Sequence, residues 1–302
     1  MDTREWALLI FTILAQLAVG MLLVSLVVRA FAVRKAGVDQ AAKLLELPTY
    51  AVVPVMGLAL IASLFHLGKG THVLGAVPNL GTSWMSREVV FAVVFAVAAA
   101  IYAFLYWRMI GSEMLRSVWG WITAVIGLAL IYSMSMTYML PAQPAFNTFA
   151  TPVTFFAAML LLGVLGFATL LMVGYGRMQN KGAALEPVVG KSLQWIGLAA
   201  IVLLGVELVV LPIYMAYLST QGSAALKSLS LMAGDYGPIL VIRLVLVILG
   251  AGVLAAYIFR KAEVVDTEKV LTAYVYGAFA LVLLSEVLGR FLFYATQYRI
   301  GV

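Results

Sequence analysis

A chain of 302 residues that is 64% hydrophobic and only 11% charged is excluded from the soluble globular class, because its folded surface would be one continuous apolar patch. It holds no cysteine, which excludes disulfides, iron–sulfur ligation and thiolate metal sites within the chain. Its 19 Lys and Arg against 13 Asp and Glu do not point to nucleic acid; in a many-span membrane protein such an excess marks basic loops on one side of the bilayer.

A helix crossing the hydrocarbon needs about 20 apolar residues. Eight runs meet that need: 6–28, 49–66, 88–107, 118–140, 152–174, 192–219, 238–259 and 271–294. The first follows "MDTREW", is too long for a signal-peptide core and lacks a small-x-small cleavage site, so it is expected to be retained. Between the second and third runs lies a long connection, 67–87, punctuated by Gly68, Gly70, Gly75, Pro78 and Gly81. Pro141, Pro144 and Pro152 separate the fourth from the fifth. The run lengths do not suit barrel strands, and the barrel's alternation is missing. The predicted fold class is therefore all-α: a polytopic membrane protein of eight transmembrane helices, arranged as two four-helix bundles in one integral domain over 1–302. No internal repeat relates the first four helices to the last four.

Charge bias sets the predicted orientation. Arg29, Arg34, Lys35 and Lys43 follow the first run, Arg108 and Arg116 the third, Arg177, Lys181 and Lys191 the fifth, and Arg260, Lys261 and Lys269 the seventh. The opposite side carries only Arg4, Lys69, Arg87, Lys227 and Arg299. The positive-inside rule places both termini outside, on the periplasmic face of a bacterial-type plasma membrane.

A charged side chain at the bilayer centre costs roughly 2.5 to 3.5 kcal/mol, so the exceptions are informative. They are His66, Glu88, Glu207, Arg243, Glu286 and Arg290, with Arg87 beside Glu88. With the orientation above, all fall in the outer leaflet. Plainer roles stay open for each. Arg87 and Arg243 could snorkel to the interface. Glu286 and Arg290, four apart with the acid first, could form an intrahelical ion pair. His66 could be a hydrogen-bonded packing residue, His72 a solvated loop residue, and Glu207 a helix–helix hydrogen-bonding group. The clustering is harder to dismiss than any member.

A histidine and a carboxylate at the outer edge of the bilayer suit oxidation of a quinol, whose hydroxyls lie near the interface while its tail stays in lipid. His66 could accept one proton near neutral pH, with Glu88 orienting it and carrying the proton toward water. Trp84, Tyr236 and Tyr294 could pack on the ring or belong to the interfacial aromatic belt. Electrons would have to leave the chain. Its only histidines, His66 and His72, are six apart with one in a loop, so no bound haem is expected, and without cysteine no iron–sulfur cluster. No metal site is expected either.

Several segments resemble the membrane anchor subunit of dimethyl sulfoxide reductase and its close relatives. They are "EWALLIFTILAQ" (5–16), "IASLFHLG" (61–68), "NLGTSWMSREV" (79–89), "TPVTFF" (151–156), "DYG" (235–237) with Arg243 following, and "SEVLGRFLFY" (285–294). Each is short, but together they keep their order along the whole chain. The resemblance implies an eight-helix subunit without a redox centre of its own. It would bind menaquinol, or another quinol, and anchor an iron–sulfur electron-transfer subunit and a molybdenum–bis-guanine-dinucleotide catalytic subunit on the periplasmic face. It also implies that His66 and Glu88 serve quinol binding and oxidation. The family commonly carries Asn before that Glu, whereas here Arg87 precedes it; an adjacent cation would favour the carboxylate form of Glu88. His72 has no counterpart in the family pattern.

The expected function is thus a quinol-oxidising anchor of a molybdenum oxidoreductase complex. His66 and Glu88 would be catalytic, while Arg87, Arg243, Glu286 and Arg290 shape the headgroup pocket or the docking surface. Two alternatives stay open: a transporter of a small solute or proton, and a passive anchor without a quinol site. A transporter predicts ionisable residues at the midplane and inverted repeats, neither of which is evident.

Overall fold

In a computed structural model, residues 3–67, 75, 77–179, 183–256 and 268–300 are described. Gly68, Lys69, Gly70, His72, Lys181, residues 257–259 of the seventh run, Arg260 and Lys261 lie outside them, as do the side chains of Arg4, His66 and Lys269. Among the described residues every regular element is helical. In chain order these are α1 (Thr3–Ala36), α2 (Val38–Leu44), α3 (Glu46–Leu67), α4 (Trp84–Trp107), α5 (Glu113–Met136), α6 (Ala150–Arg177), α7 (Leu185–Leu218), α8 (Ser223–Ser230), α9 (Gly237–Val247) and α10 (Glu268–Ala295). A π-helical turn, Leu231–Asp235, precedes α9, and another, Ile248–Gly252, carries it on toward Ala256. Eight of these helical stretches are long and apolar enough to cross a membrane. Helices satisfy every backbone group internally, which a bilayer demands.

The ends differ from hydropathy where polar residues find partners. Helix α1 continues past residue 28 because Arg29 is buried: it donates to Thr49 at 2.9 Å and lies 3.8 Å from the centre of the Tyr106 ring. Helix α5 starts at Glu113 rather than 118, because the Ser112 side chain accepts the Leu115 N–H. Glu113 then pairs with Arg116 at 3.1 Å and accepts the Tyr106 hydroxyl at 2.7 Å. The same helix stops at Met136, so Thr137 and Tyr138 lead the backbone into the turn that follows.

Helices α1 and α6 are the most buried spans and cross at the centre of the molecule. Helix α1 packs on α3, α5, α6, α7 and α10; α4 packs on α3 and α5; α9 packs on α10. At the central crossing Gly20 meets Gly163. A Cβ at Gly20 would strike the Met159 carbonyl and come within 2.8 Å of the Gly163 Cα. Small residues permit this backbone approach, and lipid-embedded helices depend on it because their association gains little from hydrophobicity. We therefore expect Gly20→Leu to destabilise the protein by about 3 kcal/mol, the upper range for overpacking. Gly57→Leu, where a Cβ meets open space, should be tolerated. Thermal unfolding in detergent checks both; equal midpoints would contradict the crossing.

One end of the molecule gathers several polar and aromatic contacts. Trp6 packs on Phe291, the Tyr138 and Tyr294 hydroxyls meet at 2.7 Å, and the Ile300 N–H donates to the Ala142 carbonyl at 2.9 Å. The opposite end holds Arg29, Thr49, Tyr106 and Glu113, with Phe31 packed on Trp195. Glu88 belongs to the first end.

Candidate functional site

Glu88 is set by the start of α4. The Ser83 side chain accepts the Ser86 N–H at 3.3 Å and caps the helix, which begins at Trp84 and places Glu88 in the second turn. The residue is only 7% exposed. A buried carboxyl needs a partner, and Thr137 at the end of α5 supplies one: its Oγ1 lies 2.9 Å from Glu88 Oε2.

Glu88 borders a cavity of about 350 Å³. Leu8 and Phe11 of α1, Leu60, Ile61, Ser63 and Leu64 of α3, and Met85, Val89, Ala92 and Val93 of α4 form most of its wall. Thr137 and Tyr138 close it from the end of α5. The wall is apolar except at Glu88, Ser63, Thr137 and Tyr138. Ile61, Leu64, Met85 and Val93 are also exposed on the outside of the molecule, so the cavity opens between α3 and α4. Tyr138 sits in an aromatic cluster with Phe146, Phe155 and Phe293. Burial, then the neighbouring Tyr294 phenol and Glu88, push the Tyr138 phenol well above its ordinary range, so it stays protonated at neutral pH.

His66 occupies the final turn of α3, three residues beyond Ser63 of the cavity wall. Arg87 is directed elsewhere. Its Nε donates to the Leu80 carbonyl at 2.8 Å and its Nη2 to the Gly81 carbonyl at 2.9 Å. Its guanidinium stacks 4.1 Å from the Trp84 ring centre. The cation that the sequence sets beside Glu88 thus clasps the preceding loop and does not border the Glu88 cavity.

The remaining ionisable residues form a second, separate group. Arg243 of α9 donates to Glu207 of α7 at 3.0 Å and lies 3.8 Å from Glu286 of α10. The acid at 286 therefore pairs across helices with Arg243, where the sequence spacing had favoured Arg290. Arg290 instead donates to Gln16 of α1 at 3.2 Å and stacks 3.7 Å from the Phe155 ring centre. Gly289 makes the room: a Cβ there would come within 2.9 Å of the Arg243 guanidinium carbon. These side chains border a cavity of about 100 Å³. Arg243 Nε, Arg290 Nε and Glu286 Oε1 are buried without a hydrogen-bond partner among the described residues.

Size separates the two cavities. Organic ligands occupy pockets of about 300 to 1,000 Å³, whereas a polar void of about a tenth of the upper figure suits a few waters. The Glu88 cavity is of a size to admit an aromatic headgroup; the charged one is less than a third as large. Among the described residues no group of three His, Asp or Glu could hold a metal ion.

Sequence reasoning found Glu88, Glu207, Arg243, Glu286 and Arg290 from charge within apolar runs. It missed Thr137, Tyr138, Gln16 and Gly289. Gln16, an amide inside an otherwise apolar run, carried a readable signal; Thr137 carried none.

The family model described as DMSO reductase anchor subunit (DmsC) matches residues 1–296. The sequence is 26% identical over 302 residues to the C subunit of anaerobic dimethyl sulfoxide reductase of Escherichia coli, covering 99% of this protein and 97% of that one. It is equally similar, at 26% over 302 residues and the same coverage, to the anaerobic dimethyl sulfoxide reductase subunit YnfH of the same organism. The corresponding C subunit of Haemophilus influenzae is 25% identical over 301 residues, covering 99% of this protein and 96% of that one.

Proposed function

The chain belongs to the DMSO reductase anchor subunit (DmsC) family, and from that premise we propose that it binds a quinol in the Glu88 cavity and oxidises it for a respiratory complex. The observation that supports this reading most is a buried carboxyl in the wall of a largely apolar cavity of about 350 Å³. The exposed side chains of Ile61, Leu64, Met85 and Val93 at its mouth would let an isoprenoid tail remain in lipid.

Oxidising a quinol removes two protons and two electrons. Glu88 is positioned to hydrogen-bond one headgroup hydroxyl and take its proton. Thr137 orients that carboxyl. His66, one turn beyond the wall residue Ser63, is the proposed partner base, as an imidazole works near neutral pH. Tyr138 lines the ring and donates or accepts through Tyr294. The charged group around Arg243 instead ties α7, α9 and α10 together. In this reading menaquinol, or another quinol, is the substrate. The electrons pass to an iron–sulfur subunit docked at the Glu88 end, and from it to a molybdenum–bis-guanine-dinucleotide catalytic subunit. With both termini periplasmic in the inner membrane, the protons leave on the periplasmic side.

Binding of a redox-inactive quinol analogue to the purified complex tests the reading. We expect one saturable site, weakened at least tenfold by Val93→Trp, which fills the mouth. A tenfold loss corresponds to about 1.4 kcal/mol. No binding, or binding indifferent to Val93→Trp, would leave this protein a passive anchor or move the headgroup elsewhere.

A further inference from the structure

We infer that Thr137 is a positioning residue for proton transfer at Glu88, because its single hydroxyl can partner that carboxyl in both of its protonation states without any heavy atom moving. This rests on the reading that Glu88 takes a proton from the quinol. Thr137 Oγ1 lies 2.9 Å from Glu88 Oε2 and also 2.9 Å from the Ser133 carbonyl oxygen. A hydroxyl carries one proton and two lone pairs, so it cannot donate to both at once. The two distances therefore describe two states.

With Glu88 ionised, the Thr137 hydroxyl donates to the carboxylate. When a proton arrives on Glu88, the Thr137 O–H turns to the Ser133 carbonyl. Its oxygen then accepts the new Glu88 O–H. One proton has arrived, no bond between heavy atoms has changed, and Glu88 Oε2, Thr137 Oγ1 and the Ser133 carbonyl oxygen all remain paired. Departure of the proton reverses the rotation. The Ser133 carbonyl already accepts the Thr137 N–H at 3.0 Å, and its second lone pair is available for the hydroxyl.

The position is built by the fold. Helix α5 ends at Met136, so Thr137 stands at its C-terminal cap, where the side chain can reach back to Ser133 and across to α4 at the same time. Few other groups compete for Glu88. From α1, the cavity wall offers Leu8 and Phe11; from α3, Ser63, which donates to the Leu60 carbonyl. The ionisable groups facing Glu88 among the described residues are the phenols of Tyr138 and, on α10, Tyr294. They donate or accept with each other at 2.7 Å. The Arg87 guanidinium is held by loop carbonyls. Thr137 is thus the neutral partner through which the carboxyl changes state.

A purely structural threonine would affect stability alone. The test is quinol-dependent turnover of the assembled complex across pH for Thr137→Val, Thr137→Ser and Glu88→Gln, with copurification of the partner subunits as the measure of assembly. We expect Thr137→Val to lower kcat about tenfold with KM within twofold. Charge-assisted bonds are the stronger ones, so losing this donor costs the carboxylate more than the acid form. The acid limb of the profile should therefore move toward higher pH by about one unit. Thr137→Ser, which keeps the hydroxyl, should restore both. Should the valine variant fail to assemble, Thr137→Ala carries the same expectations. Wild-type kcat and profile in the hydroxyl-less variant, with Glu88→Gln inactive, would overturn the inference and leave the reading of Glu88 standing. An active Glu88→Gln complex would overturn both.

Discussion

A complex carrying Glu88→Gln is expected to assemble in the membrane and to lose at least a hundredfold of its quinol-dependent turnover. Glutamine keeps the shape of the side chain and an acceptor for the Thr137 hydroxyl, so the cavity wall is preserved. What it cannot do is take a proton. A positioned general base contributes about 10² to 10⁴ in rate, and the loss should fall in that range. His66→Ala should give the same signature, intact assembly with turnover abolished, if the imidazole shares the proton transfer. Turnover of either variant within a factor of three of the parent would remove that residue from the mechanism. Steady-state rates with a soluble quinol, normalised to assembled complex, decide the matter.

The second large effect concerns stability. Arg243→Met should cost about 3 to 5 kcal/mol, the usual penalty for removing one partner of a buried ion pair. Glu207 and Glu286 are 6% and 5% exposed, and the guanidinium between them is the cation that links their helices. Without it two carboxyls face one small cavity and lose the cation that sits between them; Arg290, which donates to Gln16, is the only other cation on that cavity among the described residues. The expected readout is a sharp fall in the thermal midpoint and in the amount of complex recovered from membranes. Adding Glu207→Gln to Arg243→Met should recover a substantial part, since a neutral amide needs no cation. A parent-like midpoint in the single variant would mean that the cluster does not hold α7, α9 and α10 together.

Much of the fold was legible because the bilayer imposes a coarse and strong rule. Twenty apolar residues in a row must form a helix, and eight such runs gave eight spans. The boundaries were less legible. Hydropathy ends α1 before Arg29, yet the helix goes on because Thr49 and Tyr106 receive that guanidinium, and neither partner is near it in sequence. The same gap explains the site. Glu88 stood out as a carboxylate in an apolar run, but the threonine that serves it lies 49 residues away at the end of another helix. Spacing alone compares residues three or four apart, so it paired Glu286 with Arg290. The lateral order of the helices pairs it with Arg243. Hydropathy also places residues by depth only. It grouped Glu88 with Arg243, Glu286 and Arg290 at one level, whereas the packing assigns them to two cavities.

The clasp formed by Arg87 has a consequence for how this protein tolerates change. The guanidinium grips the carbonyls of Leu80 and Gly81, and Ser83 closes the first turn of α4 behind them. The register of Glu88 against Thr137 is thereby fixed by a buckle only a few residues long. Insertions or deletions upstream of Leu80 can then accumulate, reshaping whatever that segment touches, without tugging the carboxyl out of alignment.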